Sequence, residues 1–195
     1  MEPTDITDPA PPPVPPVPPV PPIKVREATV RDAKAITQAQ VAAWQQAYRD
    51  IMGDRYLDEL SAEMTGSTNR RRVSIAAPED PRVFNLVGEY QGEVAGWLCA
   101  GPSRDDDRDA RLGEIWALYV HPDLWRAGIG SALMTAALAR LSGEGYAEAT
   151  LWVFEANTRA RGFYERFGWV MDGATAIFER GGSQAVEVRY RRPLT

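Results

Sequence analysis

The stretch EIWALYVHPDLWRAGIGSALMTAAL, residues 114 to 138, limits the possible folds more than any other part of this chain. A mostly apolar run passes through a short turn into two glycines one residue apart, Gly128 and Gly130, and then into a segment rich in alanine and leucine. The run reads as a buried strand. The segment after the glycines reads as a helix with Ile129, Leu133, Met134, Ala137, Leu138 and Leu141 on its inner face. A helix leaves its first amides without partners and concentrates positive potential there, so a strand, a glycine turn and a helix together make a seat for a phosphate. Glycine lets the main chain come close because no Cβ intervenes. Spacing narrows the ligand. A nucleoside triphosphate loop needs GxxxxGK[ST], and Gly130 is not followed by that pair. A dinucleotide fold needs a third glycine where Leu133 stands, directly after a first strand. Taken alone, the two glycines also suit a plain helix start.

The elements around this unit alternate in type. KVREAT (24–29) reads as a first strand, and Thr29 with Asp32 forms a capping-box pattern that opens a helix over 33–52. Ile36, Ala43, Trp44, Ala47, Tyr48 and Ile51 recur there at helical spacing, and Gly53 offers a stop. RYLDELSAEM is a second helix, and TGSTNRRR (65–72) is either its frayed continuation or a loop. VFNLVGEY and EVAGWLCAG form a hairpin through Gln91-Gly92. PSRDDDRDAR (102–111) reads as a solvated charged turn before the fourth strand. EATLWVF is a fifth strand. NTRARGFYERFG then places Ala160, Phe163, Tyr164 and Phe167 on one helical face and closes at Gly168, and two antiparallel strands follow around Gly181-Gly182.

Composition sets the outer limits. With 195 residues, 44% of them hydrophobic, the chain supports one full domain, expected over 23–195. Residues 1–22 hold eleven of the sixteen prolines and are expected to form a polyproline tail, either a solvated extension or a ligand for a proline-binding module. No apolar stretch approaches the ~20 residues that span a bilayer, and the start lacks a basic-then-apolar signal pattern. The expectation is a soluble, cytoplasmic protein without a membrane partner. Cys99 and His121 are the only residues of their kinds, so no internal disulfide and no Cys/His metal cluster is expected. A net charge of −5 argues against nucleic acid as a partner and leans toward a cationic one.

The order of strand, HPDLWRAGIG turn, helix, strand and NTRARGFYERFGW resembles the GNAT superfamily of acyl-coenzyme A dependent N-acetyltransferases. WQQAYRDIMGDRYLDEL is similar, more loosely, to the family's first-helix region. The resemblance implies an α/β (α+β) fold: a mixed, mainly antiparallel sheet of about seven strands, helices on both faces, and strands four and five splayed apart. The family's pyrophosphate turn, [QR]xxGx[GA], falls on Trp125, Arg126, Ala127, Gly128, Ile129 and Gly130, with Ser131 next. Trp125 departs from the usual Gln or Arg, so less help is expected from that side chain, with Arg126 supplying charge. The second motif, NxxAxxFYxxxGF, matches Asn157, Ala160, Phe163, Tyr164, Gly168 and Trp169.

From the same resemblance, the pantetheine arm of acetyl-coenzyme A, a co-substrate, pairs with the main chain of Leu118, Tyr119 and Val120, and the Leu118 amide polarises the thioester oxygen. Glu114 matches the position of a general base in one branch of the family. Partial burial would raise its pKa; the alternative is a carboxylate in an ion pair. Tyr164 matches the tyrosine that protonates the leaving thiolate, with a structural tyrosine as the alternative. Asn157 is expected to cap its helix and to hydrogen-bond the pantetheine. Trp44 and Tyr48 either line the acceptor pocket or belong to the core. Cys99, without a nearby histidine in sequence, is a poor nucleophile, so direct transfer is expected. The acceptor is a primary amine of a small molecule or peptide, and a homodimer stays open because two-chain assemblies are frequent in the family. Two rival readings remain at this point: a non-catalytic acyl-coenzyme A binding or sensing module, and an interaction protein acting through its tail.

Overall fold

Seven strands form a single sheet in the computed structural model, which describes residues 21–194. The expected proline-rich tail lies outside the described residues up to residue 20. The strands are β1 (Lys24–Glu27), β2 (Phe84–Tyr90), β3 (Glu93–Pro102), β4 (Leu112–Val120), β5 (Glu148–Phe154), β6 (Val170–Arg180) and β7 (Ser183–Pro193), in the spatial order β1-β2-β3-β4-β5-β7-β6. Only the β4–β5 pair is parallel. Both hairpin turns follow the sequence: Gln91-Gly92 and Gly181-Gly182 all have positive φ, the twist a two-residue connection needs.

The parallel pairing determines where a site can form. β4 and β5 are in register only over Leu112–Ile115 against Glu148–Leu151. Beyond Ile115, β4 meets an irregularity opposite Cys99 and Ala100, with Trp116 as the extra residue. A bulge bends its strand and increases the local twist, so the strands part and the second half of β4 loses its neighbour on that side. The expected splay of strands four and five is therefore present.

Helices cover both faces. α4 (Ile129–Gly143) and α5 (Thr158–Arg166) pack on one face, with Ile129, Leu133, Met134, Ala137 and Leu141 buried against Leu86, Leu98 and Ile115. α4 lies close to β2 because Gly88 leaves room: a Cβ there would stand 2.8 Å from Ile129 Cγ2. α1 (Ala33–Ala47), α2 (Asp54–Ala62) and α3 (Met64–Ala76) cover the other face. The Thr29 amide and hydroxyl both donate to the Asp32 carboxylate, at 2.7 and 2.9 Å, and this box leads through a 3-10 turn (Val30–Asp32) into α1.

Three expectations change. α1 ends at Ala47 rather than near residue 52, because the chain turns at Tyr48 and places Met52 under the cluster of Trp44, Leu57 and Phe154. TGSTNRRR is neither frayed nor a loop; it is the body of α3, fixed by Arg71, which stacks on the Trp97 ring and hydrogen-bonds Gln40. The charged run 102–111 is only partly solvated. Asp105 accepts from Trp152 (2.8 Å) and Arg189 (3.0 Å), and Asp107 pairs with Arg189 (2.7 Å), which ties the loop to β5 and β7.

Candidate active site

Two cavities meet in the gap between β4 and β5. The larger, about 680 Å³, lies on the α4 side and is lined by the turn residues Arg126, Gly128, Ile129, Gly130 and Ser131 together with α5. The other, about 480 Å³, lies on the α1 side and is lined by Trp44, Tyr48, Glu114, Phe154, Phe178 and Glu187 among others. Leu118, Val120, Trp125, Arg159, Ala160 and Tyr164 border both, so the two cavities adjoin along these residues.

On the α4 side the geometry comes from the main chain. Gly128 caps α4 at φ 91°, a left-handed conformation that side chains with a Cβ resist, and exposed Arg126 precedes it at φ 71°. Among the described residues, the amides of Arg126, Gly128, Ile129, Gly130 and Ser131 have no acceptor, whereas Ala127 donates to Leu124. Five free donors at the positive end of a 15-residue helix fit a diphosphate. Trp125 is not idle: its indole N–H donates to the Val120 carbonyl at 2.9 Å, and the Arg159 guanidinium stacks on the ring, 3.1 Å from its centroid. Arg159 was not singled out from the sequence, since it reads there as one more charge on an amphipathic helix.

The free edge of β4 follows from strand alternation. The His121 amide donates to the Ala95 carbonyl at 2.8 Å, so main-chain groups two residues back, at Tyr119, also face β3. Leu118 and Val120 therefore face the gap. The expectation that all three main chains line the free edge is corrected for Tyr119, whose ring instead stacks with Trp97 and borders the α1-side cavity. The Val120 carbonyl is already engaged by Trp125.

Tyr164 stands where the cavities join. It is buried, and burial pushes its hydroxyl well above the usual phenol value, so it stays a proton donor. Asn157 caps α5, its side-chain oxygen accepting from the Ala160 amide at 3.1 Å, while it also borders the α1-side cavity. Trp44 and Tyr48 line that cavity and also pack as core, with ring centroids 5.0 Å apart in an edge-to-face arrangement.

Glu114 differs from its expectation of partial burial. It is 1% exposed, its carboxylate is gripped by the Arg104 guanidinium, and it accepts from the Arg104 amide at 2.8 Å. The ion-pair alternative thus describes its surroundings. A second carboxylate in the same cavity, Glu187 on β7, makes no hydrogen bond or ion pair among the described residues. Cys99 is buried on β3, and burial pushes its thiol up to about 12, which leaves no thiolate near neutrality. No helix among the described residues is long and apolar enough to cross a membrane.

A splayed β4–β5 pair with a helix-capping glycine turn at its mouth defines a class of fold, and the comparisons agree with it. The model of the acetyltransferase (GNAT) family matches residues 40–169, and this chain belongs to that family. A probable N-acetyltransferase of Mycobacterium tuberculosis is 30% identical over 173 residues, covering 87% of this chain and 92% of its own length. Among solved structures, an N-acetyltransferase from Thermoplasma acidophilum in complex with coenzyme A superimposes with a TM-score of 0.63 at 17% identity, covering 88% of this chain and 98% of that one. The protein yncA from Salmonella typhimurium, solved with its cofactor acetyl-CoA, gives 0.62 at 19% identity over 89% of this chain and 94% of its own. At such identities these two likenesses speak for the fold.

Proposed function

We propose that this chain transfers the acetyl group of acetyl-coenzyme A directly to a primary amine. The observation that carries the reading is that the two cavities adjoin at Tyr164, an arrangement that suits a thioester entering from the α4 side and an amine from the α1 side. The free amides of Arg126, Gly128, Ile129, Gly130 and Ser131 suit the coenzyme's diphosphate. With Trp125 in place of a basic or amide side chain, Arg159 and Arg126 bring positive charge to the same mouth. The Leu118 amide faces the gap and suits a thioester oxygen that gains negative charge during attack.

Chemistry at that point needs an acid for the leaving sulfur, and Tyr164, held protonated by burial, meets the requirement. The amine nitrogen attacks the thioester carbon, the C–S bond breaks, and the sulfur leaves as a thiol. Cys99 takes no part, because a buried neutral thiol is a poor acyl acceptor.

The test is calorimetry with acetyl-coenzyme A together with thiol release across a panel of amines. Saturable binding and amine-dependent release are expected. Absence of binding overturns the reading, and binding without release for any amine reduces the chain to a coenzyme-binding module.

A further inference from the structure

Resting on the acetyltransferase reading, we propose that the acceptor is a primary monoamine with a flat apolar body, and that Glu187 both anchors its ammonium and takes its proton. Glu187 lies on β7 and lines the α1-side cavity. In register it is flanked by Phe154 on β5 and Ala176 on β6, and all three border the α1-side cavity. Among the described residues, Glu187 has neither a hydrogen-bond nor an ion-pair partner, although it is more than half covered. A half-buried carboxylate without a partner is costly unless a ligand supplies the opposite charge.

The remaining walls are aromatic. Phe154 and Phe178 lie 5.2 Å apart, Tyr48 and Phe154 4.9 Å, and Trp44 and Phe178 6.0 Å, mostly edge to face. Ring faces and edges around one carboxylate favour a cation with an apolar body. Charge balance sets the number of cations. Four ionisable side chains other than tyrosine line the cavity: Arg104, Glu114, Arg159 and Glu187. Arg104 neutralises Glu114, and Arg159 sits on Trp125 at the coenzyme mouth. One negative charge is left for one ammonium. A polyamine would strand its further charges against Trp44 and Phe178, and an acceptor with a carboxylate beside its amine would meet Glu187 with like charge.

The protons balance as follows. The ammonium passes one proton to Glu187 as its nitrogen bonds to the thioester carbon. The C–S bond breaks, and the second nitrogen proton ends on the coenzyme sulfur through Tyr164. Glu187 then releases its proton to water, leaving an amide and a free thiol. Burial pushes Glu187 above the ordinary carboxylate range, partly offset by the Arg104 guanidinium, which makes it a better proton acceptor than a solvated carboxylate. The titratable or charged groups that share its surroundings are Tyr48 on α1, Arg104 before β4, Glu114 and Tyr119 on β4, and Arg159 and Tyr164 on α5.

The experiment compares 2-phenylethylamine with spermidine, using the wild-type protein, Glu187→Gln and Glu187→Asp. For the wild type, kcat/KM for 2-phenylethylamine is expected to exceed that for spermidine by about tenfold or more, the scale of a stranded charge. Glu187→Gln is expected to lower kcat/KM about 100-fold and flatten the acid limb of its pH profile, with partial recovery in Glu187→Asp. Calorimetry of 2-phenylethylamine on the protein saturated with free coenzyme A gives a readout apart from turnover, and binding should weaken about tenfold in Glu187→Gln. Equal use of spermidine, or Glu187→Gln with wild-type kcat/KM and acid limb, overturns the proposal. The wild-type preference decides the acceptor class even where a variant fails to fold. Wild-type protein that binds no acetyl-coenzyme A overturns the acetyltransferase reading itself, whereas binding with the wrong amine preference overturns the acceptor proposal alone.

Discussion

The two ends of the cleft are built from different materials. At the coenzyme end the proposed contacts are main-chain amides, five at the start of α4 and others on the free edge of β4, and they depend on backbone conformation more than on side-chain identity. At the acceptor end the proposed contacts are side chains, delivered by α1, β4, β5, α5, β6 and β7 from widely separated parts of the sequence. A main-chain site survives most substitutions as long as φ and ψ hold. A side-chain site changes its ligand with each one. In the proposed reading the coenzyme end therefore follows from the fold, and the acceptor end from this chain's own side chains.

Tyr164 belongs to both ends, and its removal should give the largest effect. Tyr164→Phe keeps the ring that packs against Phe163 and Trp169 and removes the hydroxyl. We expect kcat to fall by about 10²–10⁴-fold, the usual worth of a positioned general acid, while acetyl-coenzyme A affinity stays within about threefold. Thiol-release kinetics and calorimetry separate the two. A matching loss of affinity would move Tyr164 from the junction to the coenzyme grip.

The next test concerns the main-chain end alone. Gly128→Val forces a β-branched residue into φ 91°, at a strain of about 1–2 kcal/mol, and tilts the free amides away from their common focus. Acetyl-coenzyme A affinity should fall about tenfold or more. Arg126→Ala alters the side chain beside the same amides and should cost about threefold or less, with the difference fading at high salt. Comparable losses in the two variants would mean that side-chain charge, not backbone, holds the coenzyme.

This division also explains what the sequence revealed. The α4 unit was legible because its signals are local: an apolar strand, a left-handed glycine and a helix face at regular spacing lie within 30 residues. The Phe163–Tyr164 face of α5 was legible for the same reason. Glu187 was not, because in QAVEVRYRR it occupies a polar position of an alternating strand, which reads as solvent-facing. Only α1, from more than 130 residues earlier, converts that face into a cavity wall. α3 was hidden because its Gly, Ser, Thr and Asn residues are weak helix formers and its support is tertiary, through Arg71 on Trp97. The charged loop reads as solvated until Arg189, 84 positions from Asp105, folds against it.

The smallest expected effect distinguishes the two carboxylates of the acceptor end by stability rather than rate. Arg104 forms an ion pair with Glu114, whereas half-buried Glu187 has no ion-pair partner among the described residues, the Arg104 guanidinium only partly offsetting the effect of burial. The folded-state pKa of Glu187 lies above the ordinary value of 4.5, so the native state binds this proton more tightly than the unfolded chain. Stability from this group is present below the ordinary value and is lost as pH rises through the raised one. Glu187→Gln removes the ionisation, so its melting temperature should match the wild type near about pH 3.5 and exceed it by a pH-independent margin above about pH 7. The same substitution that damages turnover would then stabilise the fold, as expected where a charge is kept for a ligand rather than for packing. A wild-type protein more stable than Glu187→Gln at neutral pH would mean that Glu187 already has a partner in the folded chain, and its role as the waiting anchor for an ammonium would fall.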